Sequence, residues 1–300
     1  MPITPPSLRP HDRVAIVSTA RKVSAEEMAA AVDILRGWQL EVVLGESTTA
    51  VHHQFAGDDE LRRRDLQQQL DAPDIRAIFC ARGGYGTTRI IDQLDFTGFV
   101  QHPKWIAGFS DITALHCHLL KMGYESIHGV MPFIFNQAGG EESLESLHRA
   151  LFGEALTYAV APHPLNRPGT DSGELIGGNL TLLQNLTGTA SDCPTAGRIL
   201  FVEDVAEYLM NIDRMMVHLD RTGKLQNLAG LVVGHFTDSQ DNAVPFGQTA
   251  YEIIATYANK YGFPVAYGFP VGHEPQNMAL ICGRPARLTV SSQGTELSYC

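Results

Sequence analysis

Four short segments of this chain carry groups that could perform acyl transfer. They are Arg82-Gly83-Gly84-Tyr85-Gly86, Gly108-Phe109-Ser110-Asp111, Phe201-Val202-Glu203-Asp204 and Val271-Gly272-His273-Glu274. Each segment ends, or directly follows, an apolar stretch typical of a β-strand. Together they offer backbone amides, a hydroxyl, a carboxylate and an imidazole, which are the groups that serine-dependent acyl transfer requires.

Ser110 lies between an apolar strand pattern and a helical pattern, and two interpretations fit it. A serine at a strand–turn–helix junction is exposed and can act as a nucleophile, with the next backbone amide facing the oxyanion. Serine is also one of the best helix N-caps. Ile112 stands where the usual nucleophile elbow has glycine, so the local motif alone leaves both interpretations open.

The glycine-rich segment after Arg82 can bring backbone N–H groups close to a bound anion. It matches neither the Walker pattern nor G-x-G-x-x-G, which disfavours nucleotide binding. The segment could instead supply a second backbone donor to an oxyanion, in addition to the amide of Asp111.

The carboxylate and the imidazole each have a competitor. Asp204 is adjacent to Glu203 and could be the partner of the histidine instead, and His235 competes with His273 for the role of base. His116 and His118 fall on different faces of the helix after Ser110, so we predict no metal site there.

Strand and helix patterns alternate in the first half of the chain, which predicts parallel pairing in a layered α/β sheet. The strands are expected at 13–17, 40–44, 75–80 and 105–109, with helices capped by Ser24 and Asp58. Ligands bind beyond the carboxyl ends of such strands. The segment 80–86 and Ser110 lie at two of these ends.

The second half predicts a smaller domain of mixed, β-rich and barrel-like character. Its strands are expected at 200–202, 231–233, 265–267, 278–282, 286–290 and 296–298, and its helices at 212–220 and 248–261. The proline-rich stretch near Ala161 has no periodicity. We therefore predict an α/β domain over 1–160, a linker or active-site loop over 161–175, and the second domain over 176–300.

The composition of the chain limits the classes of partner and the cellular location that we expect. The formal net charge of −11 disfavours DNA or RNA, which require a basic face. No window approaches the roughly 20 apolar residues of a membrane span, and the first residues do not resemble a secretory signal. The five cysteines are scattered, without a CxxC pair, which indicates a reducing compartment. We therefore expect a cytoplasmic protein that contacts neither nucleic acid nor membrane.

As a set, these segments resemble the LD-carboxypeptidases of peptidoglycan recycling, a serine-peptidase family that includes the microcin C self-immunity hydrolases. Motifs in matching order extend over nearly the whole chain. They are Arg-Gly-Gly-Tyr-Gly, Gly-x-Ser-Asp-x-Thr, Gly-Gly-Asn-Leu from Gly177, Glu-Asp followed by Ile212-Asp213-Arg214-Met215, and Gly-His-x-x-x-Asn from Gly272. Singly each motif is weak, but five in series are specific.

The resemblance implies a Ser–His–Glu triad in which Ser110 is the nucleophile, His273 the base and Glu203 the residue that orients the imidazole. The backbone amides of Gly84 and Asp111 would be the oxyanion donors. The resemblance also implies an active site at the domain junction, a homodimer, and no metal or organic cofactor. Residues expected to contact the substrate are Arg82, Tyr85, Asn179 and Asn277.

The expected substrate is a murein tetrapeptide, cleaved between meso-diaminopimelate and the terminal D-alanine. Arg82 could bind the terminal carboxylate, or merely pack at the strand end. Immunity-type members carry a tryptophan before Gly-Gly-Asn-Leu, and 166–176 has none, which favours murein over a peptidyl or aminoacyl nucleotide. Two further alternatives are a hydrolase that uses Cys80, as in amidotransferase-like proteins, and a ligand-binding protein without catalysis.

Overall fold

The structure is a computed structural model that describes residues 2–300. Its strands are β1 (Arg13–Val17), β2 (Glu41–Leu44), β3 (Ile75–Cys80), β4 (Trp105–Gly108), β5 (Ser126–His128), β6 (Thr157–Val160), β7 (Gly169–Asn179), β8 (Ile199–Val205), β9 (Gly230–Thr237), β10 (Val265–Tyr267), β11 (Leu280–Cys282), β12 (Pro285–Ser291) and β13 (Gly294–Tyr299). Its helices are α1 (Ala25–Gly37), α2 (Asp59–Asp71), α3 (Thr87–Ile90), α4 (Thr97–Gln101), α5 (Thr113–Met122), α6 (Glu141–Leu151), α7 (Leu180–Asn185), α8 (Leu209–Arg221) and α9 (Ala250–Ala258).

The first sheet has six strands in the order β11-β5-β4-β3-β1-β2. All pairs among β1 to β5 are parallel, and β11 runs antiparallel to β5. The predicted parallel α/β sheet is therefore confirmed. Since the strands are parallel, the loops after β1, β3 and β4 emerge at one edge, where open sheets bind ligands.

The second sheet has seven strands in the order β10-β9-β8-β7-β12-β13-β6. The pairs from β10 to β7 are parallel, whereas those from β7 to β6 are antiparallel. The expected mixed, β-rich second part is thus a single mixed sheet. Its parallel half carries Glu203 in β8 and directs the loop after β10 toward the first sheet.

The chain does not divide cleanly at the predicted boundaries. Strand β6 falls within the predicted first domain but pairs with β13, and β11 falls within the predicted second domain but pairs with β5. Strand β7 occupies 169–179, so it overlaps the predicted loop 161–175. The first half of β7 is polar and largely exposed, and its antiparallel partner β12 lies more than a hundred residues later. Local pattern therefore could not reveal it.

Both predicted helix caps are present. The Ser24 side chain accepts a hydrogen bond from the Glu27 amide, and the Glu27 carboxylate accepts one from the Ser24 amide, which completes a capping box. Asp58 Oδ1 accepts a hydrogen bond from the Leu61 amide at the start of α2. These caps satisfy backbone donors that have no partner within the helix.

The other end of α2 is closed by a buried lysine. Lys104 is fully buried, and its Nζ donates to the carbonyl oxygens of Gln69, Leu70 and Ala72 at 2.9, 2.9 and 2.6 Å. Burial lowers the pKa of Lys104 to about 8. The ammonium is therefore still the main species at pH 7, where it can donate all three hydrogen bonds.

Replacement of Lys104 by methionine is expected to lower the free energy of unfolding by about 3 kcal/mol, since two buried carbonyl groups and one partly buried carbonyl group lose a charged donor. Urea denaturation followed by circular dichroism would measure this change. Lys121→Met is the matched control, because Lys121 is exposed. Equal stability of the two variants would contradict a stabilising role for Lys104.

No helix within residues 2–300 combines the length and the apolar character needed to cross a bilayer.

Candidate active site

Ser110 lies two residues after the end of β4, in a strained turn. Its φ of 63° is in the left-handed region, which costs a non-glycine residue of order 1–2 kcal/mol. A 3-10 turn of three residues begins at Ser110 and leads into α5. The backbone therefore has the strained strand–turn–helix form of a nucleophile elbow, although the residue two positions later is Ile112.

Ser110, His273 and Glu203 form one hydrogen-bonded chain. His273 Nε2 lies 3.1 Å from Ser110 Oγ, and His273 Nδ1 lies 2.7 Å from Glu203 Oε2. Because a carboxylate can only accept, Nδ1 carries the proton and Nε2 accepts a hydrogen bond from the serine hydroxyl. The structure thus brings together the three residues that the sequence analysis named as a triad.

Two residues fix the position of His273. Gly272 has a φ of 134°, and a Cβ added there would lie 3.2 Å from the Cβ atoms of both Glu203 and His235. Only glycine lets the loop approach β8 and β9 so closely. The ring of Phe109 packs against the imidazole, with 4.9 Å between the ring centroids.

The environment of His273 favours its protonated form. Burial by itself lowers the pKa of His273, but the charge of Glu203, the hydrogen bond to it and the charge of Asp204 raise that pKa by more. The net result is a pKa above the usual 6.5. An imidazole held in this way is a stronger base toward the Ser110 hydroxyl.

Neither of the two competing residues hydrogen-bonds to Ser110 or to His273. Asp204 accepts hydrogen bonds from Asn179 Nδ2, from the Thr181 amide and from the Thr181 hydroxyl at 2.8 to 2.9 Å. Burial and the neighbouring charge of Glu203 raise the pKa of Asp204 to about 6. His235 Nδ1 is buried without a hydrogen-bond partner among the described residues, and burial lowers the pKa of this histidine. The imidazole at Ser110 is that of His273.

Cys80 does not have the properties of a nucleophile. It is fully buried at the end of β3, and burial together with the nearby Asp111 raises its pKa to about 12. A reactive cysteine requires an accessible thiolate. The hypothesis of a thiol-dependent hydrolase is therefore disfavoured on physical grounds.

The glycine loop after β3 lies against Ser110. A Cβ added at Gly83 would lie 3.1 Å from Ser110 Cβ and 3.3 Å from Ser110 Oγ. Gly84 has a φ of 107°, which residues with a side chain rarely adopt. Glycine therefore permits an orientation of this backbone N–H that other residues would not. Asp111 is the second residue of the 3-10 turn, where backbone N–H groups have no partner within the helix. The amides of Gly84 and Asp111 therefore stay candidates for the oxyanion donors.

The four residues expected to contact substrate have different surroundings. Tyr85 is 51% exposed at this edge. Arg82 lies with its guanidinium 4.8 Å from the centroid of the Phe133 ring and 4.0 Å from a carboxylate oxygen of Glu27. Asn179 and Asn277 are buried.

Both buried asparagines hold the structure around the triad. Asn179 caps α7 and donates to Asp204. Asn277 Oδ1 accepts hydrogen bonds from the Gly272 amide at 3.0 Å and from His128 Nε2 at 3.3 Å. Asn277 therefore ties the loop that carries His273 to β5 of the first sheet, and its burial leaves no surface for substrate.

A cavity of about 750 Å³ is lined by Glu274, the residue after His273, but by none of the three triad residues. Carboxylates of Asp241, Glu252 and Glu274 line it, together with His235 and Tyr251. Neither lysine nor arginine is among its lining residues within 2–300. Within the same described range, no group of three or more histidine, cysteine, aspartate or glutamate residues could hold a metal ion.

Sequence reasoning missed Arg21. It lies at the same edge as Ser110, four residues beyond the end of β1, and its side chain packs on Gly84. Its position just beyond a predicted parallel strand was the available signal, because the loops after such strands converge.

Comparison with known proteins identifies the family of this chain. The model of the LD-carboxypeptidase N-terminal domain matches residues 14–129, and that of the LD-carboxypeptidase C-terminal domain matches residues 172–288. A protein of Bacillus subtilis named probable murein peptide carboxypeptidase is 32% identical over 96% of this chain and 92% of its own length. The murein tetrapeptide carboxypeptidase of Pseudomonas aeruginosa is 32% identical over 92% of each chain.

Solved structures share the fold. The crystal structure of a muramoyltetrapeptide carboxypeptidase from Oxalobacter formigenes has a TM-score of 0.86 and 28% identity, and the match covers 96% of this chain and 98% of that one. The microcin C7 self-immunity protein has a TM-score of 0.88 over 99% and 98% of the two chains. Its identity is only 19%, so this likeness concerns the fold alone. The two matched domain models and the extent of the similarity show that the chain belongs to the LD-carboxypeptidase family of serine-type carboxypeptidases.

Proposed function

We propose that this protein hydrolyses the bond between the L-centre of meso-diaminopimelate and the terminal D-alanine of murein tetrapeptides, with Ser110, His273 and Glu203 as the catalytic triad. The observation that carries the proposal is the hydrogen-bonded chain from Ser110 Oγ through His273 to Glu203, with distances of 3.1 and 2.7 Å. The names of the relatives from Pseudomonas aeruginosa and Oxalobacter formigenes support the murein substrate.

In the acylation step, Ser110 Oγ attacks the carbonyl carbon of diaminopimelate while His273 Nε2 takes the hydroxyl proton. The carbonyl oxygen becomes an oxyanion, and the amides of Gly84 and Asp111 donate to it. Glu203 stabilises the imidazolium through Nδ1–H. When the C–N bond breaks, His273 gives its proton to the departing amine, which leaves as D-alanine.

In the deacylation step, water attacks the ester formed on Ser110, and His273 takes a proton from that water. The second tetrahedral intermediate uses the same oxyanion donors. Its collapse breaks the bond to Ser110 Oγ, which regains the proton from His273, and the tripeptide leaves with a new carboxylate. The cycle balances without a metal or an organic cofactor.

The cavity lined by Glu274 is a candidate binding site for the diaminopimelate side chain. The end of that side chain carries both an ammonium and a carboxylate, and the acidic lining residues Asp241, Glu252 and Glu274 favour its ammonium group. The phosphate of a peptidyl nucleotide would meet the same charges with repulsion. No tryptophan lies within 166–176, and Trp105 is buried, which leaves this loop without an indole that could stack on a nucleobase.

The predicted cytoplasmic location and homodimeric state stay predictions.

Purified protein incubated with L-Ala-D-Glu-meso-diaminopimelate-D-Ala is expected to release D-alanine and the tripeptide, as measured by mass spectrometry. The matched control is the same tetrapeptide ending in L-alanine, which we expect to remain intact. A peptidyl nucleotide is the test of the alternative substrate. Cleavage of the nucleotide with no release of D-alanine would overturn the proposal.

A further inference from the structure

We infer that Arg21 binds the terminal carboxylate of the peptide substrate, an inference that rests on the proposed carboxypeptidase function. A carboxypeptidase must recognise a free C-terminal carboxylate next to the bond that it cleaves. In an extended residue the carboxylate carbon lies within about 4 Å of the scissile carbonyl carbon. The cation that binds it must therefore lie beside the oxyanion donors.

The position of Arg21 meets this requirement. Its aliphatic stem covers Gly84, since a Cβ added at Gly84 would lie 2.6 Å from both Cγ and Cδ of Arg21 and 3.0 Å from its Nε. Gly83, which precedes Gly84 in the glycine loop, lies against Ser110. Arg21 and Ser110 therefore contact two adjacent glycines, whose Cα atoms are about 3.8 Å apart.

The backbone of Arg21 is held on both sides. Its amide donates to the carbonyl oxygen of Gly83 at 3.3 Å, and Arg21 forms an antiparallel bridge with Phe55. The stem is therefore anchored against the glycine loop, while the residue as a whole remains exposed. Anchoring reduces the entropy that the side chain loses when it binds a ligand.

The guanidinium of Arg21 is also free of ion-pair partners within residues 2–300. Within residues 2–300 no carboxylate lies within 4 Å of its guanidinium, and its side chain makes no hydrogen bond. The guanidinium fork matches a carboxylate with two parallel hydrogen bonds. The chain as a whole is acidic. An arginine without an ion-pair partner near Ser110 is therefore unusual here, and it is available to bind an anion.

Arg82, which the sequence analysis named for this role, is less suitable. Its guanidinium lies over the Phe133 ring and at 4.0 Å from Glu27, so its charge is already partly engaged. Arg82 precedes the glycine loop, whereas Arg21 lies across Gly84 itself. The structure therefore assigns carboxylate recognition to Arg21.

The test measures binding in the background of Ser110→Ala, which prevents turnover. Isothermal titration would compare the tetrapeptide with a free D-alanine carboxylate and the same peptide with a C-terminal carboxamide. We expect Arg21→Gln to raise the Kd for the acid about 100-fold and the Kd for the amide less than threefold, because only the acid presents a full charge. Arg21→Lys should recover part of the affinity for the acid.

Lys22→Gln is the matched control, since Lys22 is the exposed cation next in sequence, and it should leave both Kd values unchanged. The variant Arg82→Gln tests whether Arg82, instead of Arg21, binds the terminal carboxylate. The inference is overturned if Arg21→Gln leaves the Kd of the acid unchanged, if it weakens acid and amide equally, or if Arg82→Gln alone weakens the acid selectively.

Release of D-alanine by the unmodified enzyme is measured in parallel and tests the proposed function separately. Binding of the acid that depends on Arg21 without release of D-alanine would support the role of Arg21 and refute the hydrolysis. Release of D-alanine with no effect of Arg21→Gln on binding or on kcat/KM would refute the role of Arg21 alone.

Discussion

Replacement of Ser110 by alanine is expected to abolish the release of D-alanine, with a fall in kcat of about 10⁵-fold. The variant removes the atom that attacks the carbonyl, while His273 and Glu203 stay in place. Residual turnover would come only from the oxyanion donors and from substrate binding. This is the largest effect that we predict.

The fold of this variant should survive. Ser110 has a φ of 63°, and alanine bears the same Cβ as serine, so the strain of the turn is already present in the unmodified enzyme. Its hydroxyl contacts His273 at the surface of the site and is not part of the core. We therefore expect the melting temperature to change by only a few degrees.

The measurement uses release of D-alanine together with labelling by a fluorophosphonate, which reacts with activated serines. The unmodified enzyme should be labelled at Ser110, and Ser110→Ala should not be labelled. Cys80→Ala is the matched control for the rival nucleophile and should retain activity, since Cys80 is fully buried. Turnover that survives in Ser110→Ala but disappears in Cys80→Ala would refute the assignment.

Replacement of Glu203 by glutamine is expected to lower kcat/KM by about 10³- to 10⁴-fold. The amide has nearly the shape of the carboxylate, but it can present its NH₂ group to His273 Nδ1. The imidazole would then carry its proton on Nε2, where it can no longer accept the proton of Ser110. The substitution also removes the negative charge that stabilises the imidazolium.

The same substitution should shift the acid limb of the pH profile of kcat/KM. The enzyme is active when His273 is neutral, so activity falls as the pH drops below the pKa of that residue. In the unmodified enzyme burial lowers this pKa, but the charge and hydrogen bond of Glu203 together with the charge of Asp204 raise it above 6.5. In Glu203→Gln burial prevails, the pKa falls, and the acid limb moves to lower pH.

Asp204→Asn is the matched control for this experiment, because Asp204 is the adjacent carboxylate but hydrogen-bonds to Asn179 and Thr181. Its charge is the smallest of the named contributions that raise the pKa of His273. We expect a smaller shift of the acid limb and a loss of less than tenfold in kcat/KM. An acid limb that stays in place in Glu203→Gln would contradict the role of Glu203.

Much of the fold was predictable because its determinants are local. Short apolar runs separated by helical periodicity predict parallel strands, and Ser24 and Asp58 cap helices through contacts only three residues apart. The polar strand β7 was not predictable. Neither was the pairing of β6 with the second sheet and of β11 with the first. Their pairing partners are far away in sequence, and the polar residues of β7 mimic a loop.

The candidate site shows the same division. The residue types of a triad could be named from motifs at strand ends, but each motif left a competitor, Asp204 beside Glu203 and His235 beside His273. Likewise, motif membership could not distinguish the exposed Tyr85 from the buried Asn277, because burial depends on what packs against a segment. Arg21 belongs to none of these motifs.

By itself, the sequence determined the order of the elements, the α/β class of the first sheet and the set of groups available for acyl transfer, because these depend on periodicity, caps and residue chemistry within short windows. Only the tertiary structure decided which histidine meets Ser110, which carboxylate orients it, and that Arg21 covers Gly84. Ser110 and His273 are 163 residues apart along the chain, and their 3.1 Å contact exists only because the two sheets pack against each other. No local pattern contains that information.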